Sequence, residues 1–154
     1  MNASGKNEII IDILSKEGVK TSEIEGEFLN RASVQSSIRK KLGLSTKIAN
    51  ISQKESGIAE LMIEIYTHFS SSLNQADLHN WNKKILKGRL DLKNIGKYRT
   101  HKEPMQIISG VIGSEKVHFE APPSQDVCGY MEKFIQWYND SLWFFLDYRV
   151  KCNA

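Results

Sequence analysis

Apolar positions along the chain recur mainly at three- and four-residue spacing, the period that lays a stripe along one side of a helix. Residues 7–20 carry Ile9, Ile10, Ile13, Leu14 and Val19 and predict an amphipathic helix, with Gly18 a weak point near its end. Residues 33–42 place Val34, Ile38 and Leu42 at successive fourth positions, with Ser33 as the expected N-cap and Gly43 as the stop. The stretch 45–56 is rich in Ser, Thr and Asn and reads as a loop. The clearest stripe follows, in Ile58, Leu61, Met62, Ile65, Tyr66 and Phe69, all expected in the core. Asn74 or Asp77 can cap the next helix, which holds Leu78, Trp81, Ile85 and Leu86 before Gly88.

The period then changes. Gln106-Ile107-Ile108-Ser109 and Lys116-Val117-His118-Phe119-Glu120 are short β-branched or aromatic strings on either side of Gly110 and Gly113, which predicts a hairpin. A last helix, from about residue 125 to 140, has Val127, Met131, Phe134, Ile135 and Tyr138 as its inner face, and residues 141–154 form a dense aromatic tail. The expected fold class is therefore mainly α with one β-hairpin. No internal repeat or low-complexity tract interrupts it.

Composition narrows the partners. The chain has 154 residues and a net charge of +3, and its only basic clusters are Arg39-Lys40-Lys41 and Lys83-Lys84. So thin a positive face predicts no nucleic-acid partner. No apolar run approaches the ~18 residues that span a bilayer, so no membrane partner is expected. Cys128 and Cys152 are too few for a disulfide scaffold and lack metal-ligand spacing, which predicts reduced thiols and a cytoplasmic chain.

Two stretches carry candidate chemistry. A lone hairpin is marginal in water, and its unpaired edges invite other strands. It is either a structural arm or an edge to which an extended peptide adds. In "TSEIEGEFLNR", residues 21–31, Glu23, Glu25 and Glu27 alternate around Ile24, and Gly26 lets the backbone turn. A glutamate at a helix end can hold an arginine in bidentate fashion, or it can simply be a solvated acidic turn.

Five blocks resemble, in order, a Fic (Fido) family protein that carries an inhibitory helix ahead of its core: "TSEIEGEFLNRASVQSSIRKKLGL", "GIAELMIEIY", "GKYRTHKEPMQIISG", "KVHFEAPPSQDV" and "MEKFIQWYND". The resemblance covers roughly residues 8–140. It implies that residues 1–44 are the inhibitory-helix region at the end of the family's N-terminal domain, that residues 45–140 are the N-terminal part of the core, and that the hairpin, 105–120, is the family's flap. Thr21, Glu25 and Gly26 match the family's inhibitory motif, which implies that Glu25 lies near the ATP phosphate site and pairs with a catalytic arginine. Gln106, Ile107, Ile108, Val117, His118 and Phe119 are the implied contacts with a target protein segment.

The intact family uses ATP and Mg²⁺ to move AMP onto Ser, Thr or Tyr hydroxyls. Its catalytic motif, HPFxxGNGRxxR, is missing here: none of His68, His79, His101 and His118 precedes a Gly-Asn-Gly run. The resemblance ends after Asp140. The expectation is a truncated AMP-transferase, inactive alone, with no cofactor bound by this fragment. The alternative is a non-catalytic module that inhibits another Fic core in trans, and a homodimer is a further possible assembly.

Overall fold

The computed structural model describes residues 3–46 and 50–152, with side chains at 5–46 and 50–142. Five helices occur among them: α1 (Ala3–Ile24), α2 (Arg31–Lys41), α3 (Gln53–His68), α4 (Gln75–Ile85) and α5 (Val127–Cys152). One antiparallel pair, β1 (Gln106–Ser109) and β2 (Lys116–Glu120), stands between α4 and α5. The protein is thus mainly helical with a single hairpin, the fold class that the spacing predicts. It divides into two compact units, Met1–Ser71 with Leu78–Gly96, and Ser72–Asp77 with Lys97–Ala154.

The first unit is built around α1, α2 and α3, which pack on one another. Its core is Ile11, Leu14, Val34, Ile38 and Ala59, bordered by Val19, Leu29, Met62 and Ile63. Gly18 is no helix end: α1 runs on to Ile24. A Cβ at Gly18 would sit 2.9 Å from Cγ2 of Ile58 and 3.1 Å from Cγ of Met62. The missing side chain is what lets α1 lie close to α3. Ser15 and Ser22 are buried on the same face and stay satisfied by donating to carbonyls one turn back, Asp12 at 3.0 Å and Gly18 at 2.7 Å.

Three helix starts differ in detail from the sequence reading. Asn30, not Ser33, caps α2, its side chain accepting from the Ser33 amide. Ser52 and Glu55 form a reciprocal capping box, so α3 begins inside the stretch expected to be a loop. Asn74 and Asp77 both serve α4, each side chain accepting from the other's amide at 3.1 and 3.0 Å. The stripe on α3 also stops short of its end. Ile58 and Leu61 are buried, but Tyr66 and Phe69 are exposed, so the core does not extend along the whole of the stripe.

Ion pairs stitch the helix faces. Glu60 of α3 accepts from Lys41 at 2.9 Å and from Lys87 at 2.7 Å. Glu64 takes Lys84, the Trp81 indole and the Asn80 amide. Burial works to raise the Glu60 carboxyl, yet the bonds from Lys87 and Lys41 outweigh it and hold the group below the usual carboxylate range.

In the second unit α5 starts after a 3₁₀ turn, Ser124–Asp126. Asn139 of α5 clamps the backbone of Leu73, accepting from its amide at 2.8 Å and donating to its carbonyl at 2.9 Å. The helix backbone continues through the aromatic tail to Cys152. The tail's side chains after residue 142 lie outside the described residues. The face expected to turn inward is only partly covered: Val127, Met131 and Ile135 are half-buried, whereas Phe134 and Tyr138 are exposed. No described helix is long and apolar enough to cross a membrane.

Candidate functional site

The acidic turn closes α1 as a Schellman motif. The Glu27 amide donates back to the Ser22 carbonyl at 2.8 Å, and the Gly26 amide to that of Glu23 at 3.0 Å. This geometry puts Gly26 in the left-handed region, at φ +78°, where glycine is the least strained residue. Glu25 becomes the C-cap. Gly26 therefore has a conformational reason to stand where it does, independent of any ligand.

The three glutamates fare differently. Glu23 pairs with Lys20 at 2.6 Å. Glu27 pairs with Lys54 of α3, whose hydrogen bond and charge hold the Glu27 carboxyl below its ordinary range. Among the described residues Glu25 makes no side-chain hydrogen bond or ion pair. It also sits at a helix C-terminus, where the peptide dipoles disfavour negative charge. No described side-chain contact ties this exposed carboxylate to the rest of its unit.

Glu25 faces a cavity. Gly18, Thr21, Ser22 and Glu25 recur at three- and four-residue steps, and all four line a space of about 560 Å³ in the first unit. Across from these short side chains stand Ile58, Leu61, Met62 and Ile65 of α3, with Leu29 and Leu86 completing an apolar wall. Lys54 and Arg89 supply its two cations, and each is matched. Lys54 holds Glu27, and Arg89 grips Asp91 through two bonds of 2.8 and 2.7 Å. The Arg89 bonds lower the Asp91 carboxyl to about 2. Among the described residues Glu25 is the one charged group of the lining left without a partner.

The hairpin carries the second set of candidate residues. Gln106 pairs with Glu120, Ile107 with Phe119, Ile108 with Val117, and Ser109 with Lys116. That register skips His118, so a bulge falls opposite the Ile107–Ile108 step. His118 is held there by Ser109, whose Oγ lies 2.6 Å from Nε2. Every strand residue is exposed, with Ile107 at 63% and Phe119 at 56%. Neither edge of the ribbon is paired with another strand among the described residues.

The structure thus gathers Thr21 and Glu25 at one cavity, with Gly26 shaping the turn behind them, and gathers the six hairpin residues on one ribbon in the other unit. Spacing did not reveal Lys54, Arg89 or the apolar wall opposite Thr21. Lys54 meets Glu27 across a sequence separation of 27, and nothing local in the chain signals that pair.

The described residues do not fit a nucleotide and its metal. The cavity wall is apolar and both of its cations are neutralised by carboxylates. No described cluster of three His, Cys, Asp or Glu side chains is placed to hold a cation. No step of phosphate chemistry can be drawn through this lining.

Comparison with known proteins touches the first part of the chain. Residues 1–44 match a family model described as a domain of unknown function (DUF4172). The matched stretch contains α1, the acidic turn and α2. No curated protein matches the chain.

Proposed function

We propose that this chain is the regulatory and target-docking part of a Fic-type AMP-transfer protein, with Glu25 as its inhibitory carboxylate and the hairpin as its flap. The observation that carries the reading is the unpartnered Glu25, aimed at a cavity from a helix end that its charge does not suit. A guanidinium brought there from outside the described residues would find a carboxylate with no competing partner. Arginine's planar fork can take either that carboxylate or a nucleotide phosphate, and occupation by one excludes the other. The exposed ribbon supports the docking half, because an open strand edge offers main-chain bonds to an extended target segment. Lacking a His-Pro-Phe and Gly-Asn-Gly-Arg run, the chain transfers no AMP by itself. The exposed thiol of Cys128 agrees with a reducing, cytoplasmic setting.

A second reading draws on the same observation: Glu25 restrains a separate Fic core in trans. One experiment addresses both. The purified chain is incubated with labelled ATP, Mg²⁺ and candidate target proteins, and then added to a Fic-type enzyme that lacks its own inhibitory glutamate. The expected results are no transfer by the chain alone and a fall in the enzyme's activity, restored by Glu25→Gly. Robust transfer by the chain alone overturns the first reading. An enzyme indifferent to the added chain overturns the second.

A further inference from the structure

The cavity of the first unit has a chemistry of its own, and we propose that it binds a small amphiphilic amine, with an apolar body in the cavity and one cationic head on Glu25. The inference goes beyond the nucleotide reading and does not depend on it. Its size, about 560 Å³, falls within the roughly 300–1,000 Å³ of small-molecule sites. The body of the ligand is set by the walls. Ile58, Leu61, Ile65 and Leu86 are aliphatic, and Met62 is an adaptable thioether that accepts aliphatic chains and single rings alike.

The head is set by what is left uncompensated. Glu27 already neutralises Lys54, and Asp91 already neutralises Arg89, so an anion would have to break a pair before gaining anything. It would also meet Glu25 and the negative end of the α1 dipole. An ammonium meets both with favourable sign and disturbs neither pair. Thr21, one turn before Glu25, adds a hydroxyl at the same wall. The Ser22 proton is already committed to the Gly18 carbonyl, which leaves Ser22 only acceptor capacity, again suited to a cationic donor.

The test uses the full chain and three probes of matched body, 4-phenylbutylamine, 4-phenylbutan-1-ol and 4-phenylbutyrate, titrated by ¹H–¹⁵N correlation spectra. The amine should shift the amides of Thr21, Glu25 and Leu61 and bind roughly fivefold tighter than the alcohol, the scale of one partly exposed ion pair. The butyrate should bind most weakly. Glu25→Gln should erase the amine's advantage over the alcohol, and Ile65→Trp should block all three by filling the space. Should Ile65→Trp not fold, the Glu25→Gln comparison decides alone, because that change lies on an exposed turn. Butyrate binding as tightly as the amine, unchanged discrimination in Glu25→Gln, or shifts confined to other residues would each overturn the proposal.

Discussion

The two compact units differ in how far their apolar residues close into a core, although both leave large apolar side chains exposed. In the first, Val34 and Ile38 are wholly buried, and α1, α2 and α3 close around them. In the second, Ile107, Ile108, Val117, Phe119 and Trp137 all stand exposed, and Leu73 is its one buried large apolar side chain among the described residues. A two-stranded ribbon with no layer packed on it among the described residues holds little stability of its own. The difference teaches that the fold is secured by the helical unit, whereas the ribbon keeps apolar surface available, a distribution that fits contact rather than cohesion.

The largest test of that contrast is truncation in each unit. Ile38→Ala should cost roughly 2–5 kcal/mol, the range for a large aliphatic cut from a closed core. Ile107→Ala and Phe119→Ala should each fall within about 0.5 kcal/mol of the parent, as surface changes do. Urea unfolding followed by circular dichroism measures all three. A hairpin variant as damaging as Ile38→Ala would show that the ribbon belongs to the cooperative core.

The same small substitution should act with opposite sign in the two units. A Cβ at Gly57 would stand 2.1 Å from the Lys84 carbonyl oxygen, so α3 meets the end of α4 only because that position is bare. Gly57→Ala should destabilise by roughly 1–3 kcal/mol through forced separation. Gly129 of α5 has nothing within 4 Å of such a Cβ. Gly129→Ala should therefore add about 0.5–1 kcal/mol of helix stability, read from the thermal midpoint. Equal effects at both glycines would erase the distinction.

Acid should weaken the first unit more gently. Glu60 and Glu27 are held below their ordinary value of 4.5 by lysine partners, and Asp91 is lowered from 3.8 to about 2. A carboxyl whose pKa is lower in the folded state stabilises that state above its unfolded value and loses the contribution as pH falls through its folded value. The first unit should thus keep its stability down to pH 4.5 and lose it progressively below, toward pH 2. Urea midpoints between pH 7 and pH 2 measure this, and Glu60→Gln should flatten the slope. A midpoint independent of pH in that window would mean that these pairs contribute nothing.

Much of this architecture was legible in the chain. The helical period found α1 to α5, and the β-branched strings with two glycines found the hairpin, because both depend on local spacing. Errors arose where tertiary contact overrides a local rule. Gly18 looked like a weak point near a helix end, yet Ile58 and Met62 fill the space its side chain would need. Tyr66 and Phe69 matched the core stripe, but both stand exposed at that end of α3. The start of α3 was a missed local signal, since Ser52 and Glu55 have capping-box spacing within an otherwise polar stretch. At the site, Thr21, Glu25 and Gly26 could be singled out by motif, whereas the cavity that Thr21 and Glu25 line is closed by α3 and the end of α4, whose approach no spacing in residues 21–31 encodes.

The smallest expected effect bears most directly on the site. Were Glu25 a structural residue, Glu25→Gln would lower stability, as the loss of any useful charge does. The geometry says otherwise. Its carboxylate has no cation to lose among the described residues, and it lies at the C-cap of α1, where the helix dipole opposes negative charge. Neutralising it should raise stability by about 0.3–1 kcal/mol at low salt, and the gain should shrink as salt screens the dipole. Glu27→Gln, two residues on, should do the reverse, because Glu27 holds Lys54. A pair of urea titrations at low and high ionic strength distinguishes the cases. If both substitutions destabilise alike, Glu25 is one more strut of the first unit, and its charge is not held in reserve for a ligand.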